Sequence, residues 1–128
     1  METIRLHSLA VTAVAWMVLA IGAGHARADE VPLITGKHWT ESSDQMKKAY
    51  LVGIANLVQV DEAYHVGNAP SDAASLVPRF AKGLKGHSLD SVRQGLDRWY
   101  AAHPDQLQRP VIETIWFEMV VPGLAGKK

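Results

Sequence analysis

The side chains of this chain best suited to chemistry are a few imidazoles and carboxylates: His38, His65, His87 and His103, with Asp61, Glu113 and Glu118. Asp61 and His65 stand four residues apart, so on a helix they share a face and could supply two ligands to one metal ion. No third donor lies at a ligand spacing from them, and no two of these histidines are three or four apart. The pair therefore reads as a helix-surface contact worth a few tenths of a kcal/mol, and no metal is expected. A partly buried Asp61 could act as an acid. The plainer expectation is a cationic partner, with Arg93 and Arg98 available.

Glu113 and Glu118 are five residues apart, which on a straight α-helix separates them by about 140°. Two such carboxylates do not converge on one substrate atom, so a glycosidase pair is not expected. The serines lack a G-x-S-x-G elbow, and the glycines at 53, 83, 86 and 95 fit no phosphate loop. With Cys 0, thiol catalysis and cysteine metal sites are excluded. His103, just before Pro104, belongs to a turn, with its ring near the carbonyl end of the helix before it. No catalytic residue and no cofactor are assigned, and a non-enzyme is expected.

The elements that would position these groups are helical. Ser42 and Gln45 have capping-box spacing, and the helix they open runs to about Val66 before Gly67-Asn68 stops it. Met46, Tyr50, Gly53, Leu57, Val60 and Tyr64 share one of its faces, while Leu51, Ala55 and Val58 occupy much of the other. A helix apolar almost all round is expected at the centre of a domain. Leu76, Val77, Phe80 and Leu84 fit a short helix ended by Gly83, Lys85 and Gly86. Ser88 caps a third helix with the stripe Leu89, Val92, Leu96 and Trp99/Tyr100. A last helix begins near Gln108 to Pro110 and is expected to stop at Pro122-Gly123. Its residues Phe117 and Val121 project into a polar arc: either another element covers them, which is the favoured expectation, or they form an exposed apolar spot of the kind that marks a partner surface. Asp29 to Lys37, with Pro32 and Gly36, reads as a loose lead-in. No strand alternation appears. The fold class is all-α: a small single-domain bundle of about four helices.

Arg5 followed by the uncharged apolar run Leu9 to Ile21 has the layout of a signal peptide, with Ala26-Arg27-Ala28 as its cleavage site. The expected organisation is a signal peptide over 1–28 and a helical domain over 29–128, periplasmic or secreted, with no stable membrane insertion after cleavage. Setting aside Arg5, Arg27 and Glu2, the remaining chain holds 11 Lys+Arg against 12 Asp+Glu. That balance argues against nucleic acid, whose binders carry basic patches. A cysteine-free exported domain must be held by packing alone, with self-association as the available support.

One family is similar in the segment from Tyr50 to Pro122. Tyr50-Leu51-Val52-Gly53-Ile54-Ala55-Asn56 resembles the aromatic-x-x-Gly-x-x-Asp segment in the long first helix of the Rap/Tai family of type VI secretion immunity proteins, with Asn56 where the family tends to have Asp. Val92 through Trp99-Tyr100-Ala101-Ala102-His103-Pro104-Asp105-Gln106-Leu107, then Pro110 to Met119 and Pro122, resembles that family's helix, His/Asn-Pro-Glu turn and final helix. The resemblance implies a small exported helical protein that blocks a peptidoglycan amidase toxin.

The expected function is thus an exported, non-enzymatic protein-binding module acting by occlusion, with a cell-wall amidase toxin as its sharpest partner. The expected contacts are His65, Asn68 and Asp72 in the loop, and Phe117 and Glu118 on the last helix. The alternative is a self-associating periplasmic structural or stress-linked protein, a homodimer. A less favoured alternative is a small metal-dependent protein using Asp61 and His65.

Overall fold

The computed structural model describes residues 30–67 and 75–126. The expected signal peptide and the contacts Asn68 and Asp72 lie outside those residues. Among the described residues the chain is helical and has no strand, only a single bridge between Thr35 and Pro110.

Helix α1, Gly36–Glu41, begins inside the expected lead-in and precedes the first expected helix. Long-range backbone bonds order it. The Gly36 N–H donates to the Arg109 carbonyl at 3.0 Å and the Lys37 N–H to the Leu107 carbonyl at 2.8 Å. In return the Val111 N–H donates to the Ile34 carbonyl at 2.8 Å. Trp39 on α1 is buried, and its indole N–H donates to Asp97 Oδ1 at 2.8 Å. No local pattern signals these partners, which is why the sequence reads as a loop.

Helix α2, Asp44–Tyr64, is capped by Ser43, one residue later than expected, whose Oγ accepts from the Met46 N–H at 3.3 Å. Ser42 closes α1 instead, donating to the His38 carbonyl at 2.6 Å. Gly67, at φ 82°, turns the chain in a conformation that side chains resist. The expectation that α2 is central is not met. Only Leu51 is buried, with Tyr50, Ile54 and Val58 packed partly against the core. Met46, Leu57, Val60 and Tyr64 face outward.

Helix α3, Leu76–Gly83, is followed by Gly86 at φ 93°. Helix α4, Leu89–Ala102, starts where Ser88 accepts from the Ser91 N–H at 3.0 Å. Its Val92, Leu96 and Tyr100, spaced by four, are all buried. A 3₁₀ turn, Pro104–Gln106, leads to the last helical stretch. That stretch runs as α5, Val111–Ile115, a π-helical turn, Trp116–Val120, and α6, Val121–Ala125.

Pro122 does not end the last helix as expected. The π turn directs the Val121 N–H to the Trp116 carbonyl, five residues back. Pro122, with no N–H to place, then occupies the first turn of α6, a tolerated position. The last stretch is the central one: Val111, Thr114, Ile115 and Val120 are all buried. Its close approach to α3 depends on two glycines. A Cβ on Gly123 would lie 2.1 Å from the Gly83 carbonyl oxygen, and one on Gly83 would lie 2.6 Å from that of Val120.

Polar groups pin this packing at two places. Asp97 on α4 accepts from Trp39 of α1, from Lys47 Nζ of α2 at 2.9 Å and from Arg93 at 3.2 Å. The Tyr100 hydroxyl donates to the Arg109 carbonyl at 3.0 Å and meets Thr114 Oγ1 at 2.9 Å. Thr114 Oγ1 also reaches the Pro110 carbonyl at 3.2 Å, so two hydroxyl protons serve three contacts and either hydroxyl can donate in the Tyr100–Thr114 bond.

Candidate binding surfaces

The last helix places Phe117 and Glu118 around a cation that the sequence alone does not single out, Arg109. Its side chain is mostly buried at the start of α5. Its guanidinium lies 4.9 Å from the centre of the Trp99 ring and 5.5 Å from that of Phe117. Both distances fall within cation–π range. Trp99 in turn stacks on His103, with ring centres 4.2 Å apart and planes tilted by 19°. His103 is fixed by its Nδ1, which donates to the Trp99 carbonyl at 2.7 Å, in the turn role expected of it. The result is a column of successive contacts, from His103 to Trp99, to Arg109 and to Phe117.

Both glutamates converge on this column. Arg109 NH1 donates to Glu118 Oε1 at 3.0 Å, and its Nε lies 3.4 Å from Glu113 Oε1. The expected divergence of Glu113 and Glu118 assumed a straight α-helix. A π turn holds about 4.4 residues instead of 3.6, so it advances each residue by less and brings Glu118 round toward Glu113. The two carboxylates are thus held by one guanidinium rather than poised on a substrate. Arg109 Nε is buried without a hydrogen bond of good geometry.

Phe117 is 53% exposed and Val121 37% exposed, so the expectation that another element covers them is not met. Glu118 also borders a shallow surface depression with His87, Ser91, Gly95, Arg98 and Trp99.

His65 belongs to a different place. It follows the last turn of α2, and its Nδ1 donates to the Asp61 carbonyl at 2.8 Å while lying 3.6 Å from Asp61 Oδ1. Its ring meets Tyr64 edge-on at 5.2 Å. Asp61, Glu62 and His65 border an open groove with Ala81, Lys85 and His87. Arg93, an expected partner for Asp61, is committed elsewhere: it bonds Asp90 at 2.9 Å, Asp44 at 3.2 Å and Asp97 at 3.2 Å. The Asp90 hydrogen bond, chiefly, makes that guanidinium hold its proton more firmly. Among the described residues no three His, Asp or Glu side chains gather as metal ligands.

Between α2, α3 and α4 lies a cleft of about 210 Å³, lined by Leu51, Ile54, Val58, Phe80, Leu84 and Val92 with Gln59 and His87 at its border. The cleft is mainly apolar. The outward face of α2 is apolar as well: Met46, Ala49, Gly53, Leu57, Val60, Ala63 and Tyr64 are all exposed. Among the described residues no helix is long and apolar enough to cross a membrane.

The chain matches no protein-family model, no curated protein and no solved structure.

Proposed function

We propose that this domain is a non-enzymatic protein-binding module that acts by occlusion, using the surface around Phe117. The observation that carries the reading is the column of Trp99, Arg109 and Phe117, with Glu118 beside it. An exposed aromatic ring held on a mostly buried guanidinium is pre-organised, so little rotamer freedom is lost on docking. Trp, Arg and large aromatic side chains are also the types that dominate binding energy at interfaces. The ring sits on a π turn, a distortion often found at functional sites.

The location proposed for this module is the periplasm or the cell exterior, reached by the signal peptide over 1–28. Its sharpest form is immunity: blocking the groove of a peptidoglycan amidase toxin, as the Rap/Tai resemblance implies. The segment from His65 to Asp72, with His65, Asn68 and Asp72, is the second proposed contact.

The test is a pull-down from envelope and secreted fractions, read by mass spectrometry, with the wild-type chain and with Phe117→Ala. A stoichiometric cell-wall hydrolase captured by the wild type and lost from the variant is the expected result. Equal capture by both would remove Phe117 from the interface. Capture of a partner with no cell-wall activity would overturn the immunity form.

A further inference from the structure

The apolar cleft between α2, α3 and α4 takes no part in the surface around Phe117. Its α2 wall is Leu51, Ile54, Ala55 and Val58, followed by Gln59 and Glu62. These positions recur every three or four residues and so share one helix face. From Leu51 to Glu62 the wall runs along three turns, roughly 16 Å. Phe80 and Leu84 of α3, Val92 of α4 and Ile115 of the last stretch complete the lining. Leu51, Phe80, Val92 and Ile115 belong to the buried core, so the cleft reaches the middle of the domain. Two alanines keep it open. Ala55 on α2 and Ala81 on α3 line it where longer side chains would fill it. An apolar space left empty forfeits contacts on each of its walls.

Size and shape restrict what can fill this space. The volume is about 210 Å³, roughly seven times the share of one water in the liquid. Spread along three helical turns, that volume is long and narrow. A helix, about 10–12 Å across with its side chains, is too wide for it. An extended peptide would bring backbone N–H and C=O groups against walls that offer them no partner. One side chain of a docking protein would reach a single turn of the wall and leave the rest unfilled. A straight hydrocarbon chain of about eight carbons has none of these defects.

Polar groups gather where the cleft meets the open groove beside it. Glu62 and His87 border both, and Lys85 borders the groove. Among the described residues none of these three side chains has a hydrogen bond or an ion pair. Their neighbours in the groove are committed: Asp61 lies with His65, and Lys82 is engaged. Glu62 and Lys85 offset each other in formal charge, yet one supplies acceptors and the other donors, and His87 offers either. Such a mouth suits a head group that carries no charge and both donates and accepts, as hydroxyl groups do.

We propose that the cleft binds a single-chain lipid with an uncharged, hydroxylated head group, of the monoacylglycerol class. The alkyl chain lies along Leu51 to Val58, and the hydroxyls meet Glu62, Lys85 and His87. The inference is independent of the role proposed for Phe117.

The test is a titration of the isotope-labelled chain, as recovered from its cells, with 1-octanoylglycerol below its micelle concentration. Amide shifts at Ile54, Val58, Leu84 and Val92 are expected to saturate at one lipid per chain. Ala55→Leu fills the cleft from α2 and is expected to weaken binding at least about tenfold with an unchanged circular dichroism spectrum. Ala81→Leu does the same from α3, so a folding failure in one variant leaves the other to report. Asn56→Leu adds the same side chain outside the cleft and is expected to bind like the wild type. Octanoate and octyltrimethylammonium carry the same chain with a charge and are expected to bind at least about fivefold more weakly. Absence of a saturable shift up to the solubility limit overturns the proposal. So do shifts confined to outward residues such as Leu57 and Tyr64, or wild-type binding by both alanine variants. Binding of either charged probe as tight as that of the glyceride overturns the uncharged head group.

Discussion

Helix α2 and the last helical stretch are both apolar around much of their circumference, yet the domain uses them in opposite ways. The last stretch is enclosed: Val111, Thr114, Ile115 and Val120 are buried, and α3 approaches it through Gly83 and Gly123. Helix α2, the longest among the described residues, buries Leu51 and turns a second apolar face outward. Apolar content alone does not decide which helix becomes the centre. Small residues do, because they set how closely a neighbour's backbone can come. Around the last stretch the glycines are in contact; on α2 Gly53 is open.

The largest effect that would break this comparison is expected at Gly123. In Gly123→Val the new side chain meets the Gly83 carbonyl, which is backbone and has no rotamer to move to. Overpacking typically costs about 1–3 kcal/mol, and a clash with backbone sets this variant at the upper end of that range. Chemical denaturation is the measurement. A loss under about 1 kcal/mol would mean that α3 and α6 do not pack as closely as described.

A smaller effect is expected where the enclosed helix meets α4. Tyr100→Phe removes the hydroxyl that bonds the Arg109 carbonyl and Thr114. Losing one partner of a buried hydrogen bond costs roughly 1–3 kcal/mol. Thr114 keeps a second acceptor, the Pro110 carbonyl at 3.2 Å, so the lower half of that range is expected. No loss at all would show that the bond to Arg109 is replaced by water.

The same ring makes stability depend on pH at the alkaline end. Burial, chiefly, pushes the phenols of Tyr100 and Tyr50 above their ordinary 10.0. A raised value in the folded state means that folding favours the protonated ring. The stabilisation is then complete below about pH 10 and is lost as pH rises through the folded value. The denaturation midpoint is expected to fall above about pH 10, with Tyr100→Phe reducing the slope. A wild-type slope kept in full by both Tyr100→Phe and Tyr50→Phe would assign it to other groups.

Much of the helical framework was legible in the sequence because it rests on local signals. Ser88, Pro104, Gly67 and Gly86 punctuate the chain through their own backbone preferences. The all-α class and the stripe Val92, Leu96 and Tyr100 follow from 3.6-residue periodicity. Helix α1 was not legible, since its order comes from bonds to Leu107 and Arg109, some 70 residues away. The column around Arg109 was only half legible. Phe117 and Glu118 stand out as an aromatic and an acid on one helix, but their shared cation depends on a π turn that no spacing announces. The outward face of α2 shows in the sequence as its apolar repeat. Which side would face solvent does not, because Leu51, Ile54 and Val58 form an equally apolar alternative.

The smallest expected effect has the opposite sign and bears most directly on α2. Gly53→Ala adds a methyl group into open space on the surface of the helix. Alanine loses less backbone freedom on folding than glycine, so the variant is expected to be more stable by about 0.5–1 kcal/mol. The measurement is thermal or denaturant unfolding at a protein concentration low enough to keep the chain monomeric. If stability falls instead, Gly53 serves the isolated domain through a contact other than its own Cβ space. If stability rises as expected, the outer side of α2 adds nothing to the fold at that point, and the inner side, Leu51 with Ile54 and Val58, carries the packing of this helix.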